Sequence, residues 1–313
     1  MTDTSSRTAA AAAPLRRSRP RYAETAIQVL LAVAALVSVA TTVGIVGSLV
    51  PTTVEFFRQV SWQEFFFTTE WTPLFADPSY GVLPLVSATL QITLIALCVA
   101  IPVGLGAAVY LSEYAHPRTR AVVKPVLEVL AGVPTVVYGF FALRFITPFL
   151  QDNWPWENGP EVFNALSAGL VMGVMIVPTV ASLSEDAMSA VPAGLRQGSY
   201  ALGSSPRQVA TRVVVPAAFS GIVAAFVLAV SRAVGETMIV AIASGGQPNL
   251  TLNPLEGMQT MTGFIAAAGT GDLPIGSLSY QTIFAVGALL FAMTFAMNLL
   301  SARLVRKYRE VYE

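Results

Sequence analysis

The chain has 313 residues, of which 54% are hydrophobic and only 12% charged, with a mean hydropathy of +0.65. That charged share is about half the roughly 25% usual in soluble proteins, which excludes a soluble globule. Eighteen basic residues balance eighteen acidic ones, so the net charge of zero gives no general pull toward nucleic acid.

Residues 1–24, rich in Ala, Ser and Arg, read as a disordered cytoplasmic tail. Seven runs then lack any Asp, Glu, Lys or Arg: 25–54, 78–112, 129–143, 162–184, 213–231, 237–255 and 273–302. About 20 apolar residues cross a bilayer as a helix, so most of these runs qualify. The first is too long for a cleaved signal and reads as a retained anchor. Residues 25–79 are therefore assigned to a first transmembrane helix and an aromatic external loop with Phe56, Phe57, Trp62, Phe65, Phe66, Phe67 and Trp71. These rings suit an interfacial belt or a docking surface for an external partner. The third run extends to Leu150 if Arg144 snorkels, and Asp152 is the expected partner of Arg144, as a basic cytoplasmic residue is of Glu128.

The run 237–255 contains Gly245, Gly246, Pro248, Asn249, Asn253 and Pro254, which break helices. It reads as a continuation of the fifth helix followed by an external or re-entrant loop. With six spans, 15 of the 18 basic residues fall on one side, which is the cytoplasmic one, so both termini are cytoplasmic. A core of 80–308 is expected, with a cytoplasmic loop at 185–216 and a cytoplasmic C-terminus at 309–313. The fold class is all-α, with six transmembrane helices.

Within the spans, Val133-Pro134-Thr135-Val136 recurs as Val177-Pro178-Thr179-Val180, and Pro134 and Pro178 are candidate bending points. Gly169 and Gly173 have the spacing that permits close helix contact. In the 185–216 loop, Gly203 is placed for a left-handed helix stop after a short helix that begins at Pro192. Ser205, Pro206 and Gln208 then form a capping box for a second helix.

Arg232 and Glu236 are four residues apart and share a face if the helix continues through them. Pro216 to Arg232 is about 24 Å of straight helix, in the outer part of the bilayer. Each intramembrane charge costs roughly 2.5–3.5 kcal/mol on insertion scales, so such charges face a partner or a water-filled path. A self-neutralising ion pair and an anion station both fit. Gly235 leaves room for close approach of a helix or ligand.

Chemistry on this chain is not expected. Cys98 is the only cysteine and His116 the only histidine, so disulfides, thiolate metal sites and H-E-x-x-H are excluded. No Gly precedes Lys124 or Lys307, so there is no phosphate loop, no cofactor is expected on this chain, and ATP has to be bound by a partner.

The loop residues resemble the coupling segment of ABC-importer permeases. With Gly203 at the family's glycine, Gln197, Gly198 and Ser199 occupy its Glu-Ala-Ala positions, while Val213, Val215 and Pro216 close the motif. Gln replaces the family's Glu. Arg232-Ala233-Val234-Gly235-Glu236-Thr237 with Met238, and Ala131 to Gly139, resemble the PstC-type permease of phosphate importers over roughly residues 80–308. The resemblance implies a type I importer permease that transports phosphate without catalysing a reaction. It implies a second, PstA-type permease subunit as heterodimer, two PstB-type ATPase subunits and a PstS-type external phosphate-binding protein, in a prokaryotic plasma (inner) membrane. Arg232 and Glu236 would lie on the substrate path, and Gln197, Gly198, Ser199, Gly203 and Pro216 on the loop that couples to the ATPase. The alternatives are a permease for sulfate, molybdate or phosphonate, or an ion-coupled secondary carrier with Glu236 as a proton site.

Overall fold

The computed structural model describes residues 22–156 and 158–308. Most of the expected N-terminal tail, residue 157 and the terminal segment 309–313 lie outside the described residues. Among those described, the chain is helical, with no strand beyond a single bridge between Trp71 and Tyr80. Two units are distinguished, with residue 48 the last of the first. In the first, the described part of helix α1 (Tyr22–Gln59) presents nearly all of its apolar side chains outward, as a lipid-facing helix does.

The second unit, from Leu49 onward, is built around α3 (Leu83–Val109) and α7 (Ala165–Ser189). Asn164 caps α7 by accepting a hydrogen bond from the Ser167 amide at 2.7 Å. Small residues let the two helices close on each other. A Cβ on Gly169 would lie 2.6 Å from Ile95 Cγ2, and one on Gly173 would lie 2.8 Å from the Ala96 carbonyl oxygen. Ala88, Ile92, Ala96 and Ala100 of α3 form one apolar core with Met172, Met175 and Ile176 of α7, and Ala229 and Ala233 of α11 (Phe219–Val234) join it. In lipid, where burial of apolar surface gives little drive, this close packing is what holds helices together.

Four helices are long and apolar enough to cross a membrane, and two bent pairs bring the number to six if each pair is one span. One pair is α4 (Pro117–Ala131) with Thr135–Asp152, the latter made of α5 (Thr135–Phe141), a π-helical turn and α6 (Thr147–Asp152). The pair bends by 86°, and Pro134 sits at the bend as the residue before α5. By contrast, α7 runs as one helix through Pro178. Arg144 is exposed and makes no ion pair with Asp152, and Glu128 is likewise exposed with no ion pair among the described residues, contrary to expectation. The second bent pair, Pro206–Ala217 with Phe219–Val234, turns by 71° near Ala218, so the straight 24 Å from Pro216 to Arg232 is not realised.

The aromatic segment is a core, where a belt or docking surface was expected. Phe56, at the end of α1, and Phe65 of α2 (Trp62–Phe67) are fully buried with Trp71, which meets Phe264 edge-on at a centroid distance of 4.9 Å. Burial, and then the Glu64 charge, raises the phenol pKa of Tyr80 in this cluster. Trp62 and Phe67 do remain exposed. Phe264 belongs to α13 (Met261–Gly269), a buried helix that packs against α14 (Leu278–Tyr308) and α12 (Met238–Ala243). The stretch after α12 is a loop, as its Gly and Pro content requires. Two of its carbonyls are paired by the segment before α7 and by the first turn of that helix, through Glu161 N–H to the Leu255 carbonyl at 2.9 Å and Leu166 N–H to that of Pro254 at 2.8 Å.

Candidate functional site

Arg232 stands in the last turn of α11 and is half-buried. Its Nη1 donates to Thr179 Oγ1 at 2.8 Å, so the second copy of the Val-Pro-Thr-Val repeat supplies the hydroxyl that orients the guanidinium. No carboxylate lies within ion-pair distance of it among the described residues.

Glu236 is not on the same helix. The expected shared face fails because α11 ends at Val234 with Gly235 as its cap, and α12 starts afresh at Met238. Glycine is the weakest helix former after proline, and the Glu236 carboxylate competes for backbone donors just beyond it. Its Oε1 accepts from the amides of Met238 at 3.1 Å and Ile239 at 3.3 Å, which caps α12. The Glu236 carbonyl in turn accepts from the Thr262 hydroxyl at 2.6 Å. Glu236 is 9% exposed, and its Oε2, which is not among the buried unpartnered atoms, makes no hydrogen bond among the described residues. A Cβ on Gly235 would meet only its own preceding turn, at Ser231 O 3.4 Å away, so no other helix among the described residues approaches it closely. The result is a broken helix with a cation on one side of the break and an acceptor in it.

The loop between α7 and α11 follows its local chemistry closely. Helix α8 (Ala193–Ala201) ends in a Schellman arrangement: the Gly203 N–H reaches the Tyr200 carbonyl at 2.9 Å and the Ser204 N–H that of Ser199 at 3.2 Å. Gly203 has φ +81°, the left-handed region that favours glycine. Ser205 and Gln208 form the reciprocal capping box that opens α9 (Pro206–Val209), which leads through a π-helical turn to α10 (Val215–Ala217). Gln197, Gly198 and Pro216 are exposed and Ser199 is half-buried. Leu195 and Tyr200 are exposed on α8, as is Leu202, the residue that ends it, at 89%.

Two ionic clusters at this end of the unit were not read from the sequence. Glu185, fully buried near the end of α7, accepts from Lys124 Nζ at 2.8 Å, from the Ser189 hydroxyl at 2.8 Å and from Arg120, and Lys124 also reaches Asp186 at 2.5 Å. Arg196 of α8 pairs with Glu113, the contact being 3.0 Å from Nη2. The only sequence signal was the abrupt return of charge at Glu113 and Glu185, at the ends of two apolar runs. A cavity of about 450 Å³, lined by Ser112, Pro117, Arg120, Lys124 and Glu128 among others, adjoins the first cluster.

Residues 100–310 match the family described as binding-protein-dependent transport system inner membrane component. A probable ABC transporter permease protein of Bacillus subtilis is 36% identical over 237 residues, covering 76% of this chain and 75% of its own length. A phosphate transport system permease protein PstC of Xylella fastidiosa is 33% identical over 270 residues, with 80% and 82% covered. Among solved structures, a chain of a bacterial alginate ABC transporter in complex with its alginate-bound periplasmic protein aligns with a TM-score of 0.63. It covers 92% of this chain and 98% of that one, at 13% identity, a likeness of fold alone.

Proposed function

Since the chain belongs to the family of binding-protein-dependent transport system inner membrane components, it is a permease subunit of an ABC importer, and we propose that the solute it passes is inorganic phosphate. It is a membrane transport subunit and not an enzyme, because ATP hydrolysis in such importers belongs to a separate subunit.

The observation that carries the phosphate reading is Arg232, a half-buried guanidinium at a helix break with a hydroxyl partner and no carboxylate partner among the described residues. A planar fork of donors suits a tetrahedral oxyanion. The unpartnered Oε2 of Glu236 is an acceptor, and it favours an oxyanion that still carries a proton over fully ionised sulfate. The name of the Xylella relative supports the same substrate.

In this reading a PstA-type permease completes the pathway, two PstB-type ATPase subunits bind below with one of them on the exposed face of α8, and a PstS-type protein delivers phosphate from outside. The chain itself binds no cofactor. Both termini face the cytoplasm, in keeping with 15 of 18 basic residues on one side. Closure of the ATPase displaces α8 and alternates access past Arg232 and Glu236. Uptake of labelled phosphate by vesicles holding the assembled importer, with sulfate, molybdate or phosphonate as competitor and an uncoupler as control, tests the substrate and the energy source together. Uptake that collapses with the uncoupler and ignores ATP would instead support the ion-coupled carrier.

A further inference from the structure

We propose that Arg196 is a positioning residue, which fastens the helix that docks the ATPase to the ends of α3 and α7 so that displacement of α8 is passed to both. This inference rests on the reading of α8 as that docking helix.

The geometry at Arg196 differs from that of every other described arginine on the loop. Nε and Nη2 reach Glu113 Oε1 at 3.3 and 3.0 Å, and Nε lies 3.5 Å from Oε2. Nη1 donates to the Val191 carbonyl at 2.6 Å and Nη2 to that of Met188 at 2.8 Å. One guanidinium thus holds a carboxylate in the turn that follows α3, the Met188 carbonyl in the last turn of α7 and the Val191 carbonyl in the joint after it, while its own backbone lies in α8. Carbonyls at a helix C-terminus lack intrahelical donors and attract a cation, so α7 offers Arg196 a ready seat. Arg207 and Arg212 are exposed and form no ion pair among the described residues.

Glu113 is built to meet it. It lies in the π-helical turn Tyr110–Tyr114 that follows α3, where the extra residue changes the direction of the side chains. Its side chain is 5% exposed and that of Arg196 20%, and the Ser112 hydroxyl donates to the same Glu113 oxygen at 2.9 Å. A pair so placed is strongly unfavourable to break by removing one partner, since the other remains buried and charged.

The joint between α7 and α8 is only Ala190, Val191 and Pro192. Without Arg196 the joint keeps only the packing of buried Val191 and two backbone hydrogen bonds, and we infer that motion of α8 would be taken up there. With it, α8 moves α7, which carries Thr179, and α3, which is packed along α7. The Glu185 cluster with Arg120, Lys124 and Ser189 ties the preceding turns of α7 to α4, so α4 moves with the end of α7.

The test uses the assembled importer in proteoliposomes, with phosphate uptake and ATP hydrolysis measured on the same preparation. Arg196→Gln is expected to lower phosphate transported per ATP hydrolysed by about tenfold while hydrolysis persists, within the usual range of a coupling effect. Arg196→Lys keeps the charge but loses the fork and falls between. The double variant Glu113→Arg/Arg196→Glu is expected to recover more of the ratio than either single change. An unchanged ratio in Arg196→Gln would overturn the proposal. So would a proportional loss of both activities that the double variant does not rescue, which marks a merely structural contact. Gly198→Trp, on the open face of α8 with nothing within 4 Å of its Cβ position, separates the two layers. If the ATPase still co-purifies with that variant, the docking reading falls and this inference with it. If co-purification is lost while Arg196→Gln is silent, only the role of Arg196 falls.

Discussion

Gly173 and Gly106 offer a matched pair of substitutions whose effects have opposite signs. At Gly173 a methyl group would sit 2.8 Å from both the Ala96 carbonyl oxygen and Val99 Cβ, and 3.3 Å from the Ala96 Cα, so α3 and α7 have to move apart to admit it. Overpacking of this kind costs typically about 1–3 kcal/mol. Gly106, on α3, has nothing within 4 Å of its Cβ position. There Gly106→Ala gains helix propensity, worth up to about 1 kcal/mol. Both glycines lie inside helices, so the propensity gain is common to the two alanine variants and they differ by the overpacking cost, roughly 1–3 kcal/mol in stability. Equilibrium unfolding in mixed detergent micelles, followed by far-UV circular dichroism, measures the difference. The contact also carries function, because α7 holds Thr179 against Arg232 and Glu185 in its ionic cluster. Gly173→Ala is thus expected to lower transport together with stability. A Gly173→Ala protein as stable as Gly106→Ala would refute the close-packed α3–α7 interface.

Further outcomes follow from the site. Thr179→Val removes the acceptor of the Arg232 guanidinium, a charged hydrogen bond worth about 1.5–3 kcal/mol, and phosphate uptake at limiting substrate is expected to fall roughly 10- to 150-fold, with Thr179→Ser retaining most of it. Glu236→Ala leaves the Met238 and Ile239 amides without their cap, and a loss of about 0.5–2 kcal/mol is expected in the same unfolding assay, most of which Glu236→Gln restores through its amide oxygen. Gly203→Ala forces a Cβ into the left-handed region at a cost of about 1–2 kcal/mol, seen as faster proteolysis within the α8–α9 loop.

What the sequence made legible was local. The positions of Gly203, Ser205, Pro206 and Gln208 set the turn between α8 and α9 by short-range hydrogen bonding, and the structure has that turn. Charge-free runs located the long helices for the same reason, since lipid excludes charge residue by residue. The spacing of Gly169 and Gly173 pointed to a close helix contact, though only the structure shows that α3 is what fills it. What stayed hidden depends on distant pairing. Arg196 meets Glu113 across 83 residues and Lys124 meets Glu185 across 61, and no local pattern ties either pair. Phe56, Phe65 and Trp71 look like interfacial rings until Phe264, far along the chain, closes over Trp71. Arg232 and Glu236 fit one helical face by number, but Gly235 and the capping carboxylate end the helix between them.

The measurement that bears most directly on the central claim is uptake of labelled phosphate into vesicles holding this chain with its partner permease, ATPase subunits and binding protein, wild type against Arg232→Ala, with sulfate as competitor. The account predicts ATP-dependent uptake that resists sulfate and is lost in Arg232→Ala while the complex still assembles. Uptake unchanged by the substitution would make Arg232 a structural residue held by Thr179, and uptake of another anion in place of phosphate would contradict the substrate assignment.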